Sequence, residues 1–424
     1  MLIEFTVGNY RSFKDKKTLR MDASSSVSEH REKLISAGKY KLVRSAVLYG
    51  ANASGKSNLL RAMGVMRSNV MHSASRSSAE DIVYYEPFLL NETSPHRPSH
   101  FELVFEIEEI RYRYGFEFDK SRFHAEWLFE LKKGSEKPLF IRDMDEIQVS
   151  KIFPEGKGLE KRTKSNSLFL SICDQFNGTV AASITAWLTK CNVMLGDSSR
   201  IYRNHTFNLF LNEKLIEKAI EFIKTLDLSI DDVYLDAENV NAQDSEGGDT
   251  HETTLISAKT IHQKFNDDGE QVGQVEFDMD KSESSGTNKL FDLSGPIFSC
   301  LSNGGLFIAD ELDAKIHPLM TRAIVRLFND PETNPNNAQL IFATHDTNLL
   351  NSGNFRRDQI YFTEKDQYGA TDLYSLIEFK EDGNGKVRKD RSFHKDYMQG
   401  RYGAVPHIGN LENLLNPTWQ KVNQ

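Results

Sequence analysis

The sequence predicts an α/β fold, and three observations point to it. A short apolar run, Ser45–Tyr49, ends at Gly50, and from Lys56 a helix-compatible stretch carries apolar residues at three- and four-residue steps. Residues 101–131 instead place apolar side chains at every second position, which is typical of antiparallel strands. After residue 287 helices and strands alternate again, so we expect a mixed-sheet core and an antiparallel β subdomain, interrupted by a middle segment.

Composition excludes several classes of protein. The 424 residues suffice for two or three domains, and 39% apolar residues can fill a core of that size. With 61 acidic and 52 basic residues the formal charge is −9, which disfavours a protein that coats nucleic acid through bulk positive potential. Only three cysteines occur, without CxxC spacing, so a reducing cytoplasm fits best. No apolar run approaches the ~18 residues that a membrane helix needs.

The chain divides into three predicted segments. Residues 1–150 open with an alternating stretch, residues 2–7, which reads as an edge-type strand, and continue through the first helix into the antiparallel strands. Residues 151–250 form a mostly helical insertion or lid that ends in a polar loop at 239–250. Residues 251–424 return to the α/β pattern. We find no sustained heptad pattern, so no long coiled coil is expected.

The most specific motif is a phosphate loop after the first buried strand. It reads GANASGKS, the GxxxxGKS pattern in its strand-loop-helix setting. Small residues let backbone N–H groups turn towards a polyphosphate, and the helix N-terminus adds partial positive charge. Lys56 would reach the β and γ phosphates, and Ser57 would supply an oxygen to Mg²⁺. The predicted phosphate-binding residues are Gly50, Ala51, Asn52, Ala53, Ser54, Gly55, Lys56, Ser57 and Asn58.

A second constellation is an apolar strand, LFIA, that ends in two acids. Asp310 would hold the hydration shell of Mg²⁺, and Glu311 would orient and deprotonate an attacking water. Two surface carboxylates at a strand end are the alternative interpretation, but the phosphate loop upstream favours the catalytic one. A further strand, residues 340–343, leads into His345, which could contact the γ-phosphate by hydrogen bond.

A second phosphate-binding surface is predicted where ESSGT, residues 283–287, precedes a helix. Its backbone N–H groups and the Ser284 hydroxyl would face outward at the helix N-terminus. A single subunit does not need two such surfaces. In a head-to-tail dimer, however, each nucleotide would lie between the loop of one chain and the helix tip of its partner. Taken alone the motif is a common capping sequence, and its position before the acidic strand supports the phosphate-binding interpretation.

In the order GANASGKS, ESSGT, LFIADELDAKIHP and FATHD, the sequence resembles the ATP-binding-cassette ATPases of the SMC, RecF and OLD branch. The runs SESSGTNKLFDLSGP, GGLFIADELDAKIHP and MQGRYGAVP are similar, more narrowly, to stand-alone RloA-like prokaryotic ATPases, which accompany effector genes in anti-phage loci. The resemblance extends from Phe5 to about Pro406 and is least specific in the middle segment. It implies an ATPase head that uses ATP and Mg²⁺ in a composite dimer interface, with higher assemblies built from dimers.

The resemblance also implies roles for individual residues. Ser284 and Gly286 would contact the nucleotide of the partner chain, and Asp313 would communicate across the dimer. Such ATPases usually place a glutamine between the first helix and the next sheet, but this chain has none before residue 148; Asn91 and His100 are candidate replacements. The other implied roles are phosphate contact for Lys56, metal binding for Ser57 and Asp310, the general base for Glu311 and the switch histidine for His345.

Two functions fit these motifs. The first is a cytoplasmic ATP-dependent switch that controls a separate effector, a nuclease or toxin encoded nearby, because the chain has no recognisable nuclease motif of its own. The second is a RecF-like DNA repair or loading ATPase, for which the basic residues at 386–401 would contact DNA or RNA. The net charge weakens the second function. A small-molecule kinase fits poorly, since the ESSGT helix tip would have no role in it.

Overall fold

The computed structural model describes residues 1–38, 40–132, 134–196, 199–210, 213–227, 229–243, 250–351, 353–381 and 385–406. Within these ranges the strands are β1 Leu2–Gly8, β2 Lys17–Arg20, β3 Ile35–Ala37, β4 Tyr40–Leu42, β5 Ser45–Tyr49, β6 Ser99–Ile107, β7 Ile110–Phe118, β8 Phe123–Lys132, β9 Ser135–Asp143, β10 Glu146–Val149, β11 Cys191–Met194, β12 Asp232–Gln243, β13 Thr250–Phe265, β14 Gln271–Asp278, β15 Leu306–Ala309, β16 Gln339–Ala343, β17 Ile360–Lys365, β18 Thr371–Ser375, β19 Lys380–Glu381 and β20 Gly385–Lys386. The helices are α1 Lys56–His72, α2 Phe169–Gln175, α3 Thr179–Thr189, α4 Ser199–Phe210, α5 Glu213–Leu226, α6 Ser285–Asn303, α7 Pro318–Asn329 and α8 Phe393–Met398.

A central mixed sheet positions the predicted site. Its order is β11-β15-β16-β5-β17-β18, with the first five strands parallel and β18 antiparallel to β17. Every residue of β5, β15 and β16 is buried, because helices cover both faces of a parallel sheet. The phosphate loop, the two acids and the histidine loop follow the carboxyl ends of these three strands, so they meet at one edge. The predicted α/β class is confirmed.

The antiparallel subdomain is a second sheet with the order β10-β9-β8-β7-β6-β1-β2. The period-two pattern correctly predicts β6, β7 and β8, and the sheet extends beyond them through β9 and β10. The prediction of an edge strand at the N-terminus is wrong, since β1 pairs with β2 on one side and with β6 on the other. Leu2, Phe5 and Val7 are fully buried there, because the core on this face of the sheet needs apolar side chains.

The middle segment is closely joined to the core. Its helix α2 contacts α1, where the Ser171 hydroxyl donates to the Val70 carbonyl at 2.7 Å. Its strand β11, which the sequence did not reveal, pairs in parallel with β15. Helix α4 lies against α6 so closely that a Cβ atom at Gly295 would stand 2.5 Å from Cα of Thr206. The helical content is as predicted, and the division of the chain at residues 150 and 250 stays a prediction.

A three-stranded sheet, β12-β13-β14, follows α5. The strands predicted near residues 252–264 and 272–280 are present as β13 and β14. The loop predicted at 239–250 is wrong for residues 239–243, which belong to β12 and pair with the start of β13. Backbone pairing there prevails over a polar composition, since strand formation depends strongly on the neighbouring strand. The prediction is also wrong for Thr250, which begins β13, and residues 244–249 lie outside the described residues.

Candidate functional site

The phosphate loop connects β5 to α1 and is shaped by two glycines. A Cβ atom at Gly50 would stand 2.5 Å from the carbonyl oxygen of Thr363. Gly55 has a φ of 117°, and a Cβ atom there would lie 2.7 Å from Cγ2 of Thr371. Distances this short leave no room for a side chain, and the φ of Gly55 disfavours any other residue. The two glycines therefore let the loop pack directly on β17 and β18.

Hydrogen bonds from the same two strands fix the loop. The hydroxyls of Ser54 and Thr363 are 2.6 Å apart, and the Thr371 hydroxyl donates to the Ser54 carbonyl at 2.8 Å. Asn52 and Ala53 lie exposed at the apex, where Ala53 has a φ of 60°. The loop thus has a buried, bonded base and an exposed apex, as a phosphate cradle requires.

The first turn of α1 combines a predicted metal ligand with a structural contact. Ser57 is exposed. Asn58 instead donates to the Ser12 hydroxyl at 2.8 Å and accepts from Arg11 at 3.4 Å. Arg11 also forms an ion pair with Glu86, with Nε and Oε2 2.6 Å apart. Sequence reasoning missed these partners because no motif marks them and Ser12 lies 46 residues from Asn58.

Lys56 is held above the loop. Its Nζ donates to the carbonyl oxygens of Gly50 at 2.8 Å and Ala51 at 3.2 Å. Burial lowers the pKa of Lys56, and the nearby carboxylates of Asp310 and Glu311 oppose that shift. The ammonium group is therefore subject to the negative charge of the two acids at the end of β15. A metal-assisted phosphate site combines charges of these two kinds.

The two acids face different surroundings. Asp310 is 8% exposed, its N–H donates to the Met194 carbonyl at 2.8 Å, and its Oδ1 is buried without a hydrogen-bond partner among the described residues. A buried carboxylate oxygen without a donor suits a hard cation, so Asp310 and the Ser57 hydroxyl fit Mg²⁺. Glu311 is exposed and has a φ of 49°. Such a left-handed conformation is unusual for glutamate and occurs often at functional sites.

Asp313 connects the acidic strand to the histidine loop. Its Oδ2 accepts from the backbone N–H of His345 at 3.2 Å, and its Oδ1 is buried with no hydrogen-bond partner in the part of the chain that the structure describes. Burial, followed by the charge of Lys56, lowers the pKa of His345. The imidazole is therefore neutral near pH 7 and can take part in a hydrogen bond as donor or acceptor.

The predicted second surface begins α6. Ser284 is exposed, and its Oγ accepts from the backbone N–H of Thr287 at 3.1 Å, so it is the N-cap. A Cβ atom at Gly286 would stand 2.9 Å from the carbonyl oxygen of Lys315, so the helix start packs on the segment that follows the acids. A cleft of about 940 Å³ is lined by the start of α6 and by the acids after β15; its lining includes Glu283, Ser285, Asn288, Asp310 and Glu311.

The structure thus places Lys56, Asp310, Glu311, Asp313 and His345 at one sheet edge, with Ser284 and Gly286 at the start of α6 beside the cleft. Their catalytic and binding roles stay predictions.

The two candidates for the missing glutamine have other partners. The Asn91 side chain accepts from the backbone N–H of Ser94 at 3.1 Å and so closes a turn. His100 pairs with Glu117 at 2.9 Å and stacks on Trp127 at 5.4 Å between ring centroids. Both side chains therefore have structural roles within their own surroundings.

Two negative findings concern the described residues. Within them no group of three His, Cys, Asp or Glu side chains could hold a metal ion. In the same part of the chain, no helix combines the length and apolar character needed to cross a membrane. A magnesium site with one protein carboxylate and substrate oxygens is compatible with the first finding, because Mg²⁺ usually keeps few protein ligands.

Comparison with known proteins gives one family. The family model "AAA domain, putative AbiEii toxin, Type IV TA system" matches residues 45–351, which is more than half of the chain and includes the phosphate loop, the acids and the histidine. Among curated proteins, none matches the chain.

Several solved structures are similar to the chain at low identity. An Smc head bound to the C-terminal winged-helix domain of ScpA has 13% identity and a TM-score of 0.46, over 88% of this chain and 97% of the other. The SMC head domain from Thermotoga maritima has 13% identity and a TM-score of 0.39, over 88% and 98%. An Smc head with an extended coiled coil, bound to the C-terminal domain of ScpA and derived from Pyrococcus furiosus, has 12% identity and a TM-score of 0.38, over 88% and 96%.

Proposed function

The chain belongs to the AAA-domain family whose description names an AbiEii toxin of a type IV toxin-antitoxin system, and on this basis we propose that it is a dimeric ATPase switch that controls a separate effector. The observation that carries the proposal is that two unlike acids act on the charge of Lys56. Asp310 presents a buried oxygen to which no described residue donates, and Glu311 presents an exposed carboxylate. One can hold a metal ion while the other takes a proton from water.

The residues of the phosphate loop and the two acids have different roles in hydrolysis. Backbone N–H groups of the loop and the Lys56 ammonium bind the phosphate oxygens and balance their negative charge. Ser57 and Asp310 would hold Mg²⁺, which adds positive charge beside the leaving phosphate oxygens. Glu311 accepts a proton from the attacking water while the water oxygen forms a bond to the γ-phosphorus. The bond between the γ-phosphorus and the β–γ bridging oxygen breaks, and its electron pair leaves with ADP. His345 donates a hydrogen bond to the γ-phosphate.

The helix start of α6 supports a composite site between two chains. In its first turn the backbone N–H of Thr287 is already bonded to Ser284, whereas the N–H groups of Ser285 and Gly286 have no intrahelical acceptor. An exposed helix start of this kind can bind the phosphate of a nucleotide held by the partner chain. ATP would then join two chains, and hydrolysis would release them. The difference in contacts between the two states would drive control of the effector.

An effector protein is favoured over DNA as the controlled partner. The family description with its toxin-antitoxin system supports a second protein component. In the basic segment that would contact DNA, Arg388 pairs with Asp390 at 2.7 Å, and Arg391 pairs with Asp396 at 2.8 Å. Arg401 also lies 3.6 Å from Asp396. These acids reduce the positive potential that binding to a nucleic-acid backbone requires.

The Glu311→Gln variant tests the assignment of the base. We expect kcat to fall by about 100-fold or more while ATP affinity stays within about twofold, because the amide cannot accept the proton. Light scattering should show a lasting dimer with Mg²⁺-ATP. Glu332→Gln, at an exposed loop position, is the matched control and should keep wild-type rates. Hydrolysis by Glu311→Gln at the wild-type rate would remove Glu311 from the proposal.

Mixing two inactive variants tests the composite site. Lys56→Ala disables the loop, and Ser284→Arg places a bulky side chain at the helix tip. In a heterodimer purified through two tags, one site combines the two intact halves and should hydrolyse ATP, although each variant alone is inactive. A confirmed heterodimer without activity would mean that the loop and the tip do not act across the dimer.

The partner is identified with a tagged Glu311→Gln protein at its native locus, purified with Mg²⁺-ATP. We expect a stoichiometric protein encoded nearby, with nuclease or toxin motifs, by mass spectrometry. Recovery of DNA together with replication or repair proteins would instead support the RecF-like alternative.

A further inference from the structure

Glu283 directly precedes the start of α6, residues 284–287, which we call the α6 tip. The three-stranded sheet holds the buried carboxylate of Glu283. The Glu283 side chain is 8% exposed, and its Oε1 lies 2.6 Å from Nε2 of His262. The Thr260 hydroxyl, fully buried, donates to the same oxygen. His262 in turn packs on the Phe277 ring at 4.7 Å between centroids. Two donors from β13 therefore fix the position from which Ser284 follows.

Two further anchors hold the first turn of α6. The Thr287 hydroxyl donates to Oδ2 of Asp227 at 2.8 Å, directly after α5. Nη2 of Arg203, on α4, donates to Oδ1 of Asn288 at 2.7 Å. The amide of Asn288 then donates to the Met279 carbonyl at 2.7 Å. None of these groups belongs to the central sheet, so elements outside that sheet help to determine the position of the tip, together with the Lys315 carbonyl on which Gly286 packs.

We propose that Thr260, His262 and Asp227 are positioning residues for hydrolysis in the partner chain's site. Through Glu283 and Thr287 they set the position and direction of the α6 tip. The inference rests on the composite site of the proposed function and adds the residues that hold its second half. According to this inference, β13 and the end of α5 of one chain affect the hydrolysis of the ATP that is bound to the phosphate loop of its partner.

Loss of one hydrogen-bond donor to Glu283 should have a large effect on the rate of hydrolysis. A buried carboxylate that loses its donors must find new ones or draw in water, and either response moves the adjoining backbone. A shift of about 1 Å in a group that stabilises a transition state can cost a large factor in rate. The phosphate loop shares none of these hydrogen bonds, so the binding of ATP by the same chain should not change.

The first experiment separates positioning from folding in the full-length protein. Thr260→Val removes the hydroxyl at nearly constant shape, and His262→Leu removes the imidazole donor. We expect kcat to fall about tenfold in each, with the Kd for a non-hydrolysable ATP analogue within about twofold. Thr260→Ser and His262→Gln each restore a donor and should recover most of the rate. Equal losses in kcat and in analogue binding, or no recovery in the conservative variants, would overturn the proposal.

A matched control uses a second histidine-carboxylate pair. His124 lies 2.7 Å from Asp119 in the antiparallel sheet, away from α6. His124→Leu should alter thermal stability while kcat stays near the wild-type value. A loss of kcat as large as that of His262→Leu would show that any such pair matters only through overall stability, and would contradict a special role for His262.

The second experiment locates the effect across the dimer. His262→Leu chains are combined with Lys56→Ala chains in tagged heterodimers, and the Ser284→Arg and Lys56→Ala heterodimer serves as reference. Recovered hydrolysis in both heterodimers supports the inference, because the intact tip of the Lys56→Ala chain then completes the site at the intact loop of the other chain. Activity in the reference alone would mean that His262 acts within its own chain and would refute the inference. An inactive reference would instead refute the composite site itself.

Discussion

The phosphate loop and the α6 tip both present a helix N-terminus, but they are built in opposite ways. The loop is packed so tightly on β17 and β18 that Gly50 and Gly55 have no space for a side chain. The tip is exposed at Ser284. Beside it Glu283 accepts from Thr260 and His262 of β13, and Thr287 donates to Asp227. The loop is fixed by strands of the central sheet, whereas these hydrogen bonds of the tip reach elements outside that sheet.

This difference suggests that binding and hydrolysis respond to different parts of the chain. A loop fixed by the core should bind ATP in a way that is independent of α4, α5 and β13. A tip fixed by those elements should change its position when they move, and a partner that contacts them could alter the hydrolysis rate without altering affinity. Substitutions that affect one region and leave the other unchanged test this separation.

Lys56→Ala should weaken ATP binding by at least about 100-fold, because it removes a buried ammonium group that we propose to contact the phosphates. Isothermal titration calorimetry with Mg²⁺-ATP measures the change. Lys157→Ala, at an exposed position, is the control and should bind as the wild type does. Binding retained by Lys56→Ala would contradict the loop's role as the main nucleotide contact.

Gly55→Ala should lower both stability and ATP affinity, since the new methyl group meets the Thr371 side chain at a φ of 117°. Overpacking of this kind costs about 2 kcal/mol in the free energy of unfolding. Urea denaturation and calorimetry measure the two effects. Gly64→Ala, within α1 and with its nearest atom 3.3 Å away, is the matched control and should be nearly neutral. Equal effects of both substitutions would argue against a tightly packed loop.

Asp227→Ala should lower kcat about threefold and leave ATP affinity unchanged, because one hydrogen bond to the tip is lost while the loop is untouched. Steady-state hydrolysis and analogue binding give the two numbers. Asp174→Ala, near the end of α2, is the control at another helix end and should have no effect on kcat. A loss of ATP affinity in Asp227→Ala as large as its loss of kcat would show that the phosphate loop and the α6 tip are not independent.

The smallest effect concerns pH. Because burial, followed by Lys56, lowers the pKa of His345 below its ordinary 6.5, the unfolded chain takes up this proton before the folded chain does as the pH falls. The free energy of unfolding should therefore decrease below about pH 6.5, modestly, since the side chain is partly exposed. In the His345→Asn variant, the free energy of unfolding should decrease less between pH 7.5 and 5.5, as measured by urea denaturation without nucleotide. An identical decrease in both proteins would assign the pH dependence to other groups.

The sequence predicted those parts of the site that lie in continuous segments. The loop, the acids and the helix cap each occupy fewer than ten consecutive residues, so spacing alone indicates their chemistry. The partners Thr363, Thr371 and Glu86 could not be found in this way, because their contacts cross long separations in sequence. Strand β11 was missed for the same reason: a four-residue strand has almost no periodicity of its own, and only its parallel neighbour β15 makes it a strand.

The sequence by itself determined the α/β class, the phosphate loop and the order of the motifs, because local geometry and apolar periodicity are encoded in neighbouring residues. The tertiary structure alone decided that Asp310 keeps a buried oxygen without a donor among the described residues, that β1 is an inner strand, and that Glu283 is held by His262. These features depend on which distant groups share a small volume, and such proximity arises only when the chain has folded.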